Sequence, residues 1–186
     1  MAKMNTPNKL TILRMIMIPF FMVFQLGDFS WFPIAAFITF ILASLTDALD
    51  GHLARKNHQI TNFGKLMDPL ADKLLTFAAF LGFLQLGYIS AWPVMIMIAR
   101  EFLVTSVRLI ALESGGKVIP ANIWGKLKTI TQMVSISVSL LLSAIPSTMG
   151  YVPMVTNVLI WICAALTLIS GATYIIDNRK LFSDIG

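Results

Sequence analysis

Apolar residues fall in six long runs along the chain, with short polar segments between them. A bilayer core of about 30 Å needs roughly 20 apolar residues of helix, and six stretches approach that length: about 10–26, 31–49, 66–88, 92–112, 127–145 and 153–176. Three connections are short and rich in turn formers, whereas two, near 51–65 and 113–126, are longer and polar. The pattern predicts an all-α integral membrane protein, with six transmembrane helices in a single domain over residues 1–186.

Composition agrees with this prediction. Of the 186 residues, 57% are hydrophobic and 12% are charged, and the mean hydropathy is +0.80. A soluble domain is about a quarter charged, so a water-exposed surface and a disordered chain are both excluded. The formal net charge is +5, but the basic residues flank apolar runs, so no nucleic acid partner is expected. The single cysteine, Cys163, cannot form a disulfide within the chain, and we expect it to be a small buried side chain.

Basic residues predict the orientation of the helices. Lys and Arg occur near both ends of the chain and around the two longer connections, with Arg100 deeper in the fourth stretch, while the three short connections have none. Because cytoplasmic loops carry an excess of Lys and Arg, both termini and the longer connections are expected in the cytoplasm. No small-residue cleavage site follows the first stretch, which is therefore expected to be a retained span rather than a signal peptide.

Four aspartates cluster where the second stretch ends and the third begins. Asp47 and Asp50 are three apart, and Asp68 and Asp72 are four apart, so each pair shares one face of a helix. Ionisable residues at membrane depth are costly and mark function by default. Four converging carboxylates would suit Mg²⁺, Mn²⁺ or Ca²⁺, and a bridged pair of ions would suit chemistry on phosphate oxygens. The alternative is that these aspartates are helix caps and solvated loop charges.

Neighbouring residues fit a metal site. Lys73 and Arg55 can offset part of the negative charge, and Gly51 and Gly64 allow a ligand or another backbone to come close. The two histidines of the same segment, at positions 52 and 58, are expected to be interfacial polar residues rather than ligands, because oxygen ligands already suffice.

One string matches a known signature at all of its fixed positions. The chain reads Asp47-x-x-Asp50-Gly51-x-x-Ala54-Arg55, then eight residues, then Gly64-x-x-x-Asp68-x-x-x-Asp72. This string resembles the complete signature of the CDP-alcohol phosphatidyltransferases. Members of that family are integral membrane enzymes with six spans, which transfer a phosphatidyl group from CDP-diacylglycerol to an alcohol and release CMP.

The resemblance implies a role for each matched residue. The four aspartates would hold two divalent ions, Mg²⁺ or Mn²⁺, that bind the pyrophosphate of the CDP-lipid, and Asp72 would also be the general base. The segment 7–14 is similar to the stretch before the first span of family members, although Arg14 could instead extend its side chain to the membrane interface. A homodimer is implied as well. The residues expected to bind the CDP-lipid are Asn8, Thr11, Arg14, Gly51, Ala54, Arg55, Gly64 and Lys73.

Charged residues of the fourth stretch point to the acceptor. Arg100 and Glu101 lie well inside that stretch, so they are expected to face the bundle interior or a wet cavity. Helical spacing places Thr105 between Glu101 and Arg108 on one face.

A basic pocket for a phosphate is expected from Arg108, Lys126 and Lys128, because such a pocket favours a phosphorylated acceptor over a neutral alcohol. The alternative is that these residues only follow the positive-inside rule. Segments 98–101, 106–108 and 124–129 are similar to those of bacterial family members whose acceptor is sn-glycerol 3-phosphate. The resemblance then implies phosphatidylglycerophosphate as product, in the inner (cytoplasmic) membrane of a bacterium, with the active site facing the cytoplasm.

Three alternatives stay open. Phosphatidylglycerol as acceptor would give cardiolipin by the same chemistry, and a double displacement could replace the direct one. A divalent-cation transporter is a third possibility, but it needs acidic residues that continue to the outer side, where the sequence has only Asp28.

Overall fold

The computed structural model describes the backbone of residues 6–56, 62–113 and 123–177, and the side chains of residues 8–46, 67, 70–107 and 123–177. This part of the chain is helical, with a 3₁₀ turn at Pro146–Thr148. The α-helices are α1 (Thr6–Leu26), α2 (Phe32–Lys56), α3 (Asn62–Gln85), α4 (Ala91–Glu113), α5 (Ile123–Ser143) and α6 (Val152–Asp177). The six apolar stretches therefore predicted the helices correctly.

The largest error in the predicted bounds falls at the family signature. Helix α2 continues to Lys56 instead of ending near 49, and α3 begins at Asn62 instead of 66. Hydropathy decreases where charged residues begin, but a helix requires only backbone hydrogen bonds and residues of adequate helix propensity. Ala, Leu, Arg and Lys are good helix formers. All fixed positions of the signature consequently lie in helices, and most of the predicted polar break does not exist.

Large apolar side chains lie on the outside of the helices. On α1, Leu13, Ile16, Phe20 and Val23 are exposed and recur at helical spacing, and exposed large apolar residues also occur on the other five helices. Two segments, Asn8–Leu26 and Val152–Asp177, are long and apolar enough to cross a membrane. The fully buried side chains are mostly apolar too, although several are polar. Exposed apolar faces of this extent are expected where the helices face lipid.

The chain divides into two compact units. The first contains α1, α2, α3 and residues 136–152, and the second contains α4, residues 123–135 and α6 from residue 153. In the first unit α1 contacts both α2 and α3. The rings of Phe21 and Phe40 pack with centroids 5.8 Å apart between α1 and α2.

A hydrogen bond joins α1 to α3 within the first unit. The side chain of Gln25 is buried, and its Nε2 donates to the carbonyl oxygen of Ala79 at 3.0 Å. Gly82 provides the space, because a Cβ atom there would lie 2.2 Å from Gln25 Oε1.

We expect Gly82→Ala to destabilise the protein by about 1 kcal/mol, because the displaced amide would lose its buried hydrogen bond. Thermal unfolding in detergent measures this loss. Gly150→Ala is the matched control, because no atom lies within 4 Å of a Cβ at that position. Equal melting temperatures for the two variants would contradict the interpretation.

In the second unit, buried hydrogen bonds join side chains of neighbouring helices. Gln132 Nε2 donates to Met97 Sδ at 3.3 Å, and Cys163 Sγ donates to Ser135 Oγ at 3.2 Å. The expectation that Cys163 is a small buried side chain is confirmed.

Candidate functional site

The first turns of α1 present a buried polar face. Asn8, Thr11 and Arg14 recur at three-residue intervals, and both Thr11 and Arg14 are 0% exposed. An arginine that extends to the membrane interface keeps its guanidinium group in the polar layer. Arg14 is instead enclosed by the protein, so the alternative interpretation of this residue is wrong.

The packing of α1 against α2 sets the level of Arg14 relative to the signature. Phe21 and Phe40 touch, and the two helices run in opposite directions because a short connection joins them. Arg14 precedes Phe21 by seven residues, and Asp47 follows Phe40 by seven residues. Seven residues are two helical turns, or about 10 Å. Backbone positions 14 and 47 therefore lie at the same level along the helix axes, and on the same helix faces as Phe21 and Phe40.

The packing of α1 against α3 gives a similar result. These helices run in the same direction, and the Gln25 side chain binds the Ala79 carbonyl oxygen. Arg14 lies eleven residues before Gln25, and position 68 lies eleven residues before Ala79. The register of the three helices thus brings Arg14 level with two signature aspartates, and places positions 50 and 72 about one turn away.

Asp72 is the signature aspartate whose side chain the structure describes. It is half-buried, next to the fully buried Ala71, and its backbone carbonyl accepts a hydrogen bond from Thr76 Oγ1 at 3.1 Å. Lys73 is also half-buried. Among the described side chains, no group of three or more His, Cys, Asp or Glu could hold a metal ion.

The other signature residues are described by their backbone alone: Asp47, Asp50, Gly51, Ala54, Arg55, Gly64 and Asp68. The side chain of His52 and all of residue 58 also lie outside the described residues. Their helical positions are nevertheless defined, and the pairs at 47 and 50 and at 68 and 72 each share a face of α2 or α3, as expected from their spacing.

A charged network occupies the interior of the second unit. Glu101 Oε1 accepts hydrogen bonds from Arg100 Nη1, at 2.9 Å, and from Lys128 Nζ. Arg100 Nη2 donates to Ser170 Oγ at 2.7 Å. The expectation that Arg100 and Glu101 face an interior is confirmed, because their side chains are 13% and 10% exposed.

The residues expected to bind the acceptor phosphate are not all brought together. Lys128 is buried, whereas Lys126 is exposed, because two residues along a helix correspond to a rotation of about 200°. Thr105 is exposed and does not lie on the buried face that contains Glu101. The side chain of Arg108 lies outside the described residues.

Sequence reasoning missed the α6 part of this network. Ser170 receives the Arg100 guanidinium group, and a Cβ atom at Gly171 would lie 3.0 Å from Arg100 Cγ. Two adjacent small residues inside an apolar stretch were the available signal, because small residues let helices approach closely in membranes.

Comparison with known proteins agrees with the signature. The profile of the CDP-alcohol phosphatidyltransferase family matches residues 4–169. The chain belongs to this family.

Several bacterial family members are similar to this enzyme along nearly the whole chain. A CDP-diacylglycerol–glycerol-3-phosphate 3-phosphatidyltransferase of Bacillus subtilis (strain 168) is 41% identical over 186 residues, covering 94% of this chain and 95% of the relative. The protein of that name from Rickettsia bellii (strain RML369-C) is 37% identical, with coverage of 96% and 97%. A probable phosphatidylglycerophosphate synthase of Mycobacterium tuberculosis (strain ATCC 25618 / H37Rv) is 35% identical, with coverage of 98% and 84%.

Proposed function

We propose that this enzyme transfers the phosphatidyl group of CDP-diacylglycerol to sn-glycerol 3-phosphate, giving phosphatidylglycerophosphate and CMP. The observation that carries the proposal is the complete signature, placed on two helices that α1 holds in a defined register. The names of the bacterial relatives, which span nearly the whole chain, support sn-glycerol 3-phosphate as the acceptor.

The donor set fits a pair of divalent cations. Asp47, Asp50, Asp68 and Asp72 offer carboxylate oxygens from adjacent turns of two helices in one unit, and hard cations such as Mg²⁺ and Mn²⁺ prefer such ligands. When bound, the ions supply positive charge that stabilises the pyrophosphate and the departing CMP.

The remaining signature residues and α1 are proposed to bind the CDP-lipid. Gly51 and Ala54 leave room for the flat cytosine base, and Gly64, which lacks a side chain, lets the ligand come close. Arg55 and Lys73 offer positive charge to phosphate oxygens. The buried polar face of α1 supports the same role for Asn8, Thr11 and Arg14, because Arg14 lies level with the aspartate positions.

Asp72 is proposed to act as the general base. Its carboxylate takes the proton from the free primary hydroxyl of sn-glycerol 3-phosphate. The hydroxyl oxygen then forms a bond to the lipid-linked phosphorus, and the bond from that phosphorus to the CMP oxygen breaks. This direct displacement inverts the configuration at phosphorus, and a chiral, isotope-labelled substrate would show retention if an enzyme-bound intermediate formed.

Basic residues are proposed to bind the acceptor phosphate: Arg108, Lys126 and Lys128. Lys126 is exposed near the start of α5, whereas Lys128 is buried against Glu101. Lys126 thus offers its charge at the surface, where an acceptor arrives from water, and Lys128 offers its charge inside the second unit.

We expect Lys126→Ala to raise the KM for sn-glycerol 3-phosphate by roughly three- to tenfold, the size typical of an exposed charge–phosphate contact. The KM for CDP-diacylglycerol should stay unchanged. Thr129→Ala, at an exposed position in the same helical turn, is the matched control. An effect of Lys126→Ala on CDP-diacylglycerol alone would contradict this division of the site.

A six-span topology with both termini in the cytoplasm is also proposed. Each helix has at least 21 residues, or about 31 Å of rise, enough to cross the hydrocarbon core. Trp31, Trp92 and Tyr151 lie at the three connections without basic residues and are exposed, as interfacial aromatic residues are. The active site would then face the cytoplasm from the inner membrane of a bacterium, in a homodimer.

Release of CMP by the purified enzyme tests the proposed function. Mixed micelles would contain CDP-diacylglycerol and Mg²⁺ or Mn²⁺, with sn-glycerol 3-phosphate or phosphatidylglycerol offered in separate reactions. Release that depends on sn-glycerol 3-phosphate is the expected result. Release with phosphatidylglycerol alone would make the enzyme a cardiolipin synthase, and no release with either acceptor would contradict the proposal.

A further inference from the structure

We propose that Glu101 is a positioning residue, which holds the Lys128 ammonium group in place for the phosphate of the acceptor. This inference rests on the proposed function, because it assigns the partner of a residue in the acceptor site. Glu101 itself does not bind the phosphate, since two anions repel each other. It acts through Lys128.

The contacts around Glu101 form a chain across three helices. Lys128 on α5 donates to Glu101 on α4, and the same carboxylate oxygen accepts from Arg100. Arg100 is in turn attached to α6, where its Nη2 donates to Ser170 Oγ. Gly171 lets the arginine side chain lie against α6, because a Cβ atom there would crowd Arg100 Cγ. The carboxylate is therefore fixed by two helices before it contacts Lys128.

A contact that orders the Lys128 side chain in advance lowers the entropy cost of binding an anion, because lysine is flexible. Its ammonium group sits on a four-carbon stem with many rotamers, and ordering that stem costs entropy when a ligand binds. The Lys128 side chain is 6% exposed and bonded to Glu101. Its ammonium group is thus ordered before an acceptor arrives. Binding of the acceptor therefore does not carry the entropy cost of ordering the lysine side chain.

The charges of the network leave a net attraction for an anion. Arg100 and Lys128 carry two positive charges and Glu101 carries one negative charge, so these three side chains together carry one positive charge. Buried charges are costly without a counter-charge. A phosphomonoester dianion would supply one, which fits a phosphorylated acceptor rather than a neutral alcohol.

Steady-state kinetics of Glu101→Gln tests the proposal. The amide keeps the shape but removes the charge that holds the two cations together, so Lys128 should move away from Arg100. We expect the KM for sn-glycerol 3-phosphate to rise roughly tenfold and the KM for CDP-diacylglycerol to stay within about twofold, as for loss of one charge-assisted hydrogen bond. Glu101→Asp should recover part of the loss. Asp28→Asn, which removes the same charge at an exposed position, is the control.

A double-variant cycle separates positioning from a structural role. If Glu101 acts through Lys128, Glu101→Gln should raise the KM little further in a Lys128→Gln background, whereas independent effects would multiply. If the Glu101→Gln variant does not fold, Ser170→Ala is the substitute test. It is a small change at the far end of the network, and it should also raise the KM for sn-glycerol 3-phosphate.

The outcomes distinguish this inference from the proposed function. If wild-type enzyme releases CMP with sn-glycerol 3-phosphate but Glu101→Gln keeps the wild-type KM, or the effects multiply in the double variant, the positioning role is wrong. If the wild-type enzyme itself does not use sn-glycerol 3-phosphate, the proposed function fails first.

Discussion

Asp72→Asn is expected to reduce the rate of CMP release by at least about a thousandfold, because general bases contribute roughly 10²–10⁴ to a rate and this carboxylate is also proposed to bind metal. Asparagine keeps the size of the side chain but cannot take the proton from the acceptor hydroxyl. Binding of CDP-diacylglycerol should be largely retained, since three carboxylates remain. The measurements are the turnover number and the binding of radiolabelled CDP-diacylglycerol in micelles with Mg²⁺.

Thr76→Val is a suitable control for this experiment. It removes the hydroxyl that donates to the Asp72 carbonyl oxygen and leaves the carboxylate intact. We expect a small change in rate, because the α3 backbone keeps its helical hydrogen bonds. If Asp72→Asn kept about a tenth of the wild-type rate or more, general-base catalysis by Asp72 would be wrong.

The six helices of the described residues could be predicted from the sequence, but their ends near the signature could not. Apolar runs show where a helix can face lipid, and all six runs correspond to helices. Apart from Leu53, the residues of α2 beyond 49 are charged, polar or small, so the apolar run ends before the helix does. A helix end is determined by backbone hydrogen bonds and capping, which leave only a weak trace in hydropathy.

The shared face of Thr11 and Arg14 on α1 could be predicted from the sequence, whereas the charged network of the second unit could be predicted only in part. Thr11 and Arg14 are three apart, which places them on one face, and both are fully buried. Lys126 and Lys128 were expected to act together because both lie at the predicted start of the fifth apolar stretch, near 127. Since α5 begins at Ile123, both lysines are helical and lie on different sides. The Glu101–Lys128 pair is separated by 27 residues along the chain, and its partners could be identified only from the packing of α4 against α5.

Arg14→Met is expected to destabilise the metal-free protein by about 3–5 kcal/mol, the cost typical of leaving a buried charge without its partner. A guanidinium group stays protonated in proteins, so a fully buried one requires negative charge nearby. The register of α1 with α2 and α3 places positions 47 and 68 at its level. Methionine fills much of the volume but removes the positive charge, so the aspartates of the first unit would repel one another without compensation.

Divalent cations should reverse much of this loss, because they supply the missing positive charge to the same carboxylates. The measurement is thermal unfolding of Arg14→Met in detergent, once with EDTA and once with Mg²⁺, beside the wild type. Phe21→Leu, a buried apolar change on the same helix, should lower the melting temperature equally in both conditions. Arg14→Lys, which keeps a positive charge on a different head group, should fall between Arg14→Met and the wild type in EDTA. A loss in Arg14→Met that did not depend on Mg²⁺ would mean that Arg14 stabilises the bundle by packing, and not as the counter-charge of the aspartates.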